Sequence, residues 1–342
     1  MALAGGAAVD PGVSAPRPAA DRPVLDDATD DRAPITLLDV TLRDGGYIND
    51  HRWTPAQAAA LTTACARAGV GIVEAGYYRP RLHSTSGRAQ PAACCPPAYL
   101  ETLAEAAGDA TVAVMVQPGD ASAQQLADLA RSGVRLVRLT SRVDAVAGVA
   151  GAVEAIHAAG MSVSVNLVRI SEWDDAAVAA AAATATVLGA DLVYLADSNG
   201  SLFPERTLRL FEVAREATPV TLGLHAHDGL SLAFANALAA VAGGAAYLDA
   251  SLGGMGKGGG NLALELISAY LHHRHGMPST MAPLARALEM LPAAPRDPRI
   301  HCGAIAASLL DLNIDRLAAL AGEGDDPVRL LDGVAPMAGA LR

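Results

Sequence analysis

Aromatic residues make up only 4% of this 342-residue chain and charged residues 18%, and both scarcities narrow what it can do. A surface that grips nucleic acid uses aromatic platforms and clustered lysine and arginine. Here the formal charge is -11, so nucleic acid or an anionic membrane would bind against the overall field, and neither is expected as a partner. Four cysteines, two of them adjacent at Cys94 and Cys95, do not form a disulfide framework, which a chain of this size does not need. Apolar residues reach 51%, yet no run resembles a membrane span, because the alanine tract over Ala176–Val187 is short and ends in a turn glycine. Asp10 and Pro11 arrive before any continuous apolar stretch, so no signal peptide is read and the expected compartment is the cytoplasm. No G-x-G-x-x-G follows the first strand-like segment, which argues against a dinucleotide fold.

What is present is a rhythm. Residues 1–33 mix Ala, Pro, Gly and Asp without apolar periodicity and are expected to be a disordered extension. From Ile35 a short β-branched run alternates with a longer Ala/Leu-rich segment of helical period. Strands are expected over 35–42, 70–76, 111–116, 134–139, 162–167, 191–196, 220–225 and 246–251. Helices should begin near Pro55, Pro97, Ala121, Val143, Glu172, Pro204, Leu230 and Asn261. Gly69, Gly133, Gly160, Gly189 and Gly244 precede strands, as expected where a helix ends in a left-handed cap. Eight such units imply a closed (β/α)8 TIM barrel over 34–276, followed by a small helical C-terminal region over 277–342. That region, with helices expected over 280–291, 303–311 and 313–321, could pack on the barrel, supply a lid or meet a second subunit.

The chemistry gathers at three places. In Thr221–Asp228, read T-L-G-L-H-A-H-D, His225 and His227 sit at i and i+2 of a strand, so both imidazoles leave the same face. Asp44 follows the first strand and stands beside Arg43. In a barrel all strand ends share one rim, so Asp44, His225 and His227 can hold one divalent cation and leave positions open for a substrate. Because the ligands are mixed, softness alone does not choose among Mg2+, Mn2+, Co2+ and Zn2+; Mn2+ or Mg2+ is the expected ion. Arg43 offers a fixed fork for a carboxylate or a developing oxyanion, and Gly45 and Gly46 let backbone approach a ligand. The third place is the loop Gly253-Gly-Met-Gly-Lys-Gly-Gly-Gly-Asn261, which opens a helix; Asn261 is read as a polar partner or additional metal ligand, and Lys257 as a contact for a substrate carboxylate. Glu74 and Asp197, after the second and sixth strands, are either supports for the site or turn residues. A general base is harder to choose: Tyr47, His51 and His83 all follow top-face strand ends, and His51 is chemically the easier near neutral pH. His157, His272, His273 and His275 read as surface or cap residues, and Cys65 as a small core hydrophobe.

With Thr41-Leu-Arg-Asp-Gly, His225-Ala-His227 and Leu248-Asp-Ala-Ser-Leu-Gly-Gly-Met-Gly-Lys-Gly-Gly-Gly-Asn261 in this order, the chain resembles the metal-dependent pyruvate aldolases and lyases. These are the pyruvate-carboxyltransferase-like TIM barrels, and the likeness is to the 4-hydroxy-2-oxovalerate aldolases in particular. It covers most of 35–275. The resemblance implies that Asp44, His225 and His227 are metal ligands, and that Arg43 faces the keto oxygen. It also implies an aldolase that cleaves or forms a 4-hydroxy-2-oxo acid through a metal-bound pyruvate-type enolate, with a 2-oxo acid and an aldehyde as small-molecule partners. Those aldolases carry a catalytic histidine three residues after the metal-binding aspartate, where this chain has Tyr47, so Tyr47 and His51 are the substitutes to weigh. They also work with an aldehyde dehydrogenase contacted through the C-terminal region, and the different tail here argues against carrying that partner over. A Claisen-type acyl-CoA/2-oxo acid synthase or a lyase like that for 3-hydroxy-3-methylglutaryl-CoA is the alternative within the superfamily. A homodimer is expected; surface alanines on the helices permit close packing, though they also occur in solitary alanine-rich proteins.

Overall fold

A computed structural model describes residues 34–80, 90–292, 304–305 and 307–313. The expected N-terminal extension, His83, Cys302 and residues 314–321 of the last expected helix lie outside the described residues. Eight parallel strands close on themselves in chain order: β1 Thr36–Asp39, β2 Ile72–Tyr77, β3 Thr111–Val116, β4 Leu136–Arg142, β5 Ser162–Val168, β6 Leu192–Asp197, β7 Thr221–Ala226 and β8 Ala245–Ala250. Closure is made by β1 against β8, in a register that runs from Thr36 opposite Tyr247 to Asp39 opposite Ala250. The helices between and after them are α1 Pro55–Arg67, α2 Pro97–Ala107, α3 Ala123–Arg131, α4 Ala150–Ala158, α5 Asp175–Val187, α6 Pro204–Ala217, α7 Ala233–Gly243 and α8 Leu264–His275. Among the described residues no helix is long and apolar enough to cross a membrane.

Local chemistry explains the punctuation. Thr54 and Gln57 form a reciprocal capping box at the start of α1, and Ser122 and Gln125 form another at the start of α3. Proline occupies the first turn of α1, α2 and α6, where its missing N–H costs nothing. Gly69 and Gly244, with φ of 90° and 107°, take the left-handed conformation that turns the chain from helix into strand. Several helices start later than expected: a 3-10 segment over Val143–Val149 precedes α4, and α7 and α8 begin at Ala233 and Leu264. The first strand is also shorter, because beyond Val40 the chain curls away from the ladder.

Two apolar layers hold the barrel. The larger packs the outer faces of the strands against the helices, through residues such as Leu37, Val73, Val137, Phe211 and Leu264. The smaller fills the lower interior with Leu38, Val40, Ile72, Ala113, Leu136, Leu192 and Tyr194. Gly223 makes room for that tyrosine, since a Cβ there would stand 2.6 Å from the Tyr194 ring. The barrel is therefore plugged below and open only at the C-terminal ends of its strands.

The last described elements touch both ends of this frame. Helix α9, Met281–Glu289, follows Thr280, whose hydroxyl donates to the Arg67 carbonyl at 3.0 Å and so ties it to the end of α1. Residues 304–305 and 307–312 lie on the upper rim: Ser308 donates to the Asn199 carbonyl at 2.9 Å, and Asp311 accepts from Ser171 at 2.7 Å and from Asn199 at 2.8 Å.

Candidate metal centre

The turn after β1 builds one side of the site. Val40 still donates to Ala250, but the amides of Asp44 and Gly45 both return to the Val40 carbonyl, at 2.8 and 3.2 Å. This tight turn drives Arg43 and Asp44 inward, leaving them 5% and 2% exposed. Gly45 and Gly46 then open a single 3-10 turn over Gly45–Ile48. A Cβ on Gly46 would lie 2.0 Å from the His51 imidazole, so that ring presses directly on backbone. Opposite, β7 carries His225, and His227 follows its end and bridges to Asn261.

Ligand atoms of Asp44, His225 and His227 all lie within 4.8 Å of one another. His227 Nε2 stands 3.9 Å from Asp44 Oδ2, and the two imidazole rings meet edge to face at 5.1 Å. His225 Nδ1 is 3.0 Å from Asp249 Oδ2, while His227 Nδ1 is 3.1 Å from the carbonyls of Lys257 and Gly260. Those partners only accept, so each Nδ1 carries the proton and each Nε2 lone pair is directed to the centre. Burial pushes His227 down to about 4, which keeps it neutral and able to ligate at physiological pH. Burial alone would raise the Asp44 carboxyl, but Arg43 and the two imidazoles outweigh it and hold it well below the usual carboxylate range.

A layer beneath fixes these groups. Glu74 accepts from Arg43 Nε at 2.7 Å and lies 3.2 Å from Arg138, whose other nitrogen donates to Asp249 at 2.6 Å. Arg43 also donates to Asp44 at 2.6 Å. Asp44, Glu74 and Asp249 carry three negative charges against the two of Arg43 and Arg138, and all five side chains are buried. The surplus of one negative charge and the two aimed imidazoles fit a divalent cation.

The other expected residues take varied places. Asn261 donates from Nδ2 to Asp44 Oδ2 at 2.8 Å and to the Met255 carbonyl at 2.9 Å. Its nitrogen faces the carboxylate and so orients Asp44, the polar-partner half of what the sequence offered for it. The amide of Lys257 lies 3.3 Å from Asp44, and its ammonium lies 5.0 Å from the centre of the Tyr47 ring. Tyr47 reaches the cavity, and its hydroxyl meets that of Tyr77 at 3.0 Å. His51 is held behind these rings, 5.3 Å from Tyr47 and 6.0 Å from Tyr77, and is not among the residues lining the cavity. Asp197 accepts from the amides of Ser201 and Leu202, both at 3.0 Å, and is a turn residue that burial pushes up to about 6.

Sequence reading missed Arg138 and Asp249, the two groups that lock the underlying layer, and Arg79 and Arg169 at the mouth. A signal existed for Arg138. It alternates with Val137 and Leu139 in β4 and so points into the barrel, where an unpaired charge would be costly.

The HMGL-like family matches residues 34–290. The chain belongs to that family. Over 235 residues it is 33% identical to 4-hydroxy-2-oxovalerate aldolase 2 of Nocardia farcinica, covering 69% of this chain and 68% of that one. It is 31% identical over 244 residues to an oxaloacetate decarboxylase of Mycobacterium tuberculosis, covering 71% of each. The carboxyl transferase domain of Rhizobium etli pyruvate carboxylase shares the fold, with a TM-score of 0.67 at 18% identity over 86% of this chain and 54% of that one. Membership of the HMGL-like family and the buried triad together make this chain a metal-dependent aldol-type carbon–carbon lyase.

Proposed function

We propose that this lyase cleaves, and in reverse forms, a 4-hydroxy-2-oxo acid, giving pyruvate or a close homologue and an aldehyde. The observation that carries the reading is the placing of Arg43 beside three ligand atoms that lie within 4.8 Å of each other. Asp44, His225 and His227 would hold Mn2+ or Mg2+, which when bound supplies Lewis-acid polarisation of a 2-oxo acid carbonyl. Arg43, locked by Glu74, directs its guanidinium at the substrate's 2-oxygen and stabilises the charge that grows there.

Tyr47 takes the role that the sequence left open between Tyr47 and His51, because it lines the cavity and His51 does not. Burial pushes the Tyr77 phenol up, so it stays protonated, and its hydroxyl lies 3.0 Å from that of Tyr47. Tyr47, acting as its phenolate, accepts the proton of the 4-hydroxyl, the C3–C4 bond breaks, its electron pair becomes the enolate of the 2-oxo acid, and the Tyr47 hydroxyl so formed is the donor for C3. The aldehyde leaves, and a proton returned to C3 completes the 2-oxo acid.

The test uses protein supplied with Mn2+, pyruvate in D2O and a panel of 4-hydroxy-2-oxo acids. Enzyme-dependent loss of the methyl protons of pyruvate, together with pyruvate release from at least one panel member, is the expected result. Absence of both overturns the reading.

A further inference from the structure

The metal centre occupies one side of the barrel mouth, and the side across from it is built differently. In a closed barrel of eight strands taken in chain order, β3, β4 and β5 stand opposite β7, β8 and β1. Asp44, His225 and His227 come from the second group, and the cavity of about 260 Å3 that they line is walled on the far side by Gln117, Thr140 and Asn166. The register sets Thr140 beside Asn166, one inward position above the pair formed by Arg138 and Ser164. These two uncharged side chains therefore stand directly on the buried arginine layer.

Asn166 carries the argument. It is 2% exposed, and one end of its amide is tied to the Ser164 hydroxyl at 2.8 Å. The other end has no partner among the described residues, whichever way the amide is turned, and the residue lines the cavity. The Thr140 hydroxyl and the Gln117 amide line the same wall and likewise form no side-chain hydrogen bond among the described residues. In the free protein water satisfies such groups. A plain alkyl chain laid against them removes that water and returns no hydrogen bond, whereas a hydroxyl on the chain replaces it. A wall meant for an alkyl chain would instead continue the apolar surface that Met115 and Val168 supply beside it.

The 2-oxo acid half of the substrate brings a carboxylate and a growing oxyanion, for which Arg43 and the ligand triad are placed on the near side. What meets the far wall is the aldehyde half. We infer that this half is an uncharged hydroxyaldehyde and not an alkyl aldehyde, its hydroxyl held by Asn166 with Thr140 and Gln117 beside it. The inference rests on the aldolase reading above and names the substrate class for that site.

In the test, the Mn2+ enzyme adds pyruvate to aldehydes matched in size, glycolaldehyde against propanal and lactaldehyde against 2-methylpropanal. In each pair a hydroxyl stands where the partner has a methyl. The hydroxylated member should be favoured in kcat/KM by about tenfold or more. Hydroxyaldehydes are also the more electrophilic, so the deciding quantity is how that ratio changes when the wall is made apolar. Asn166→Leu should lower it by about tenfold, and Thr140→Val, made separately, should lower it less. The ratio is taken within each protein, so a general loss of activity cancels. No preference in the wild type, or a ratio that neither variant lowers, overturns the inference and leaves the aldolase standing. A wild type that neither exchanges the methyl protons of pyruvate in D2O nor adds pyruvate to any of the four aldehydes removes the aldolase reading, and the inference with it.

Discussion

Asp39 and Asp44 lie five residues apart, both buried, and their carboxyls shift in opposite directions. Asp39 is on the outer face of β1, where it accepts hydrogen bonds from Thr41 and meets Cys65 of α1. Burial pushes its carboxyl up to about 7, and Glu74 adds to that rise. Asp44 faces the barrel mouth beside Arg43, and there the same burial is overcome. Asp249 repeats the pattern of Asp44: burial would raise it, but Arg138 and His225 hold it below its usual value. A buried carboxylate is retained as a charge only where an arginine is built in with it, and this barrel places both such arginines under the metal centre.

Breaking that pairing should have its largest effect at Arg138. Arg138→Met leaves Asp249 buried without its arginine and Glu74 with Arg43 alone, and a loss of about 3–5 kcal/mol in denaturant-derived stability is expected. Arg43→Lys keeps the charge but loses the fork that joins Glu74 to Asp44. It should lower kcat by about a hundredfold, with little change in melting temperature. Asp249→Asn weakens the hold on His225 and should reduce Mn2+ affinity by about ten- to hundredfold in calorimetry. On the other face, Asp39→Asn sharpens the contrast. A folded-state value near 7 against 3.8 unfolded means that the stabilising contribution is complete below the unfolded value and is lost as pH rises through 7. Wild-type stability should therefore fall by about 2 kcal/mol from pH 5 to 7 through this group, and the variant should lack that fall.

Much of this was legible in the chain because it depends on periodicity. Strand and helix alternation is a local pattern, and the glycines that end helices at Gly69, Gly133, Gly160, Gly189 and Gly244 all adopt positive φ, as their positions before strands required. The i, i+2 spacing of His225 and His227 and the place of Asp44 after a strand likewise translate directly into a shared rim. What stayed hidden depends on non-local contacts. Nothing near Arg138 in sequence says that Asp249, 111 residues later, is its partner, and only barrel closure brings them together. Tyr47 and His51 were both candidates in sequence because both follow β1, His51 being chemically the easier; the 3-10 turn then sends the Tyr47 ring into the cavity and packs His51 on Gly46. Nothing local in the sequence marks Arg79 and Arg169, and it is the closed barrel that sets them around one space.

The central claim is that Asp44, His225 and His227 act as a single cation site, and Mn2+ titration of the wild-type protein alongside Asp44→Ala tests it most directly. The account predicts one ion per chain for the wild type and at least a hundredfold weaker uptake by a variant whose circular dichroism is unchanged. Equal uptake by the two proteins, or none by the wild type, would contradict it.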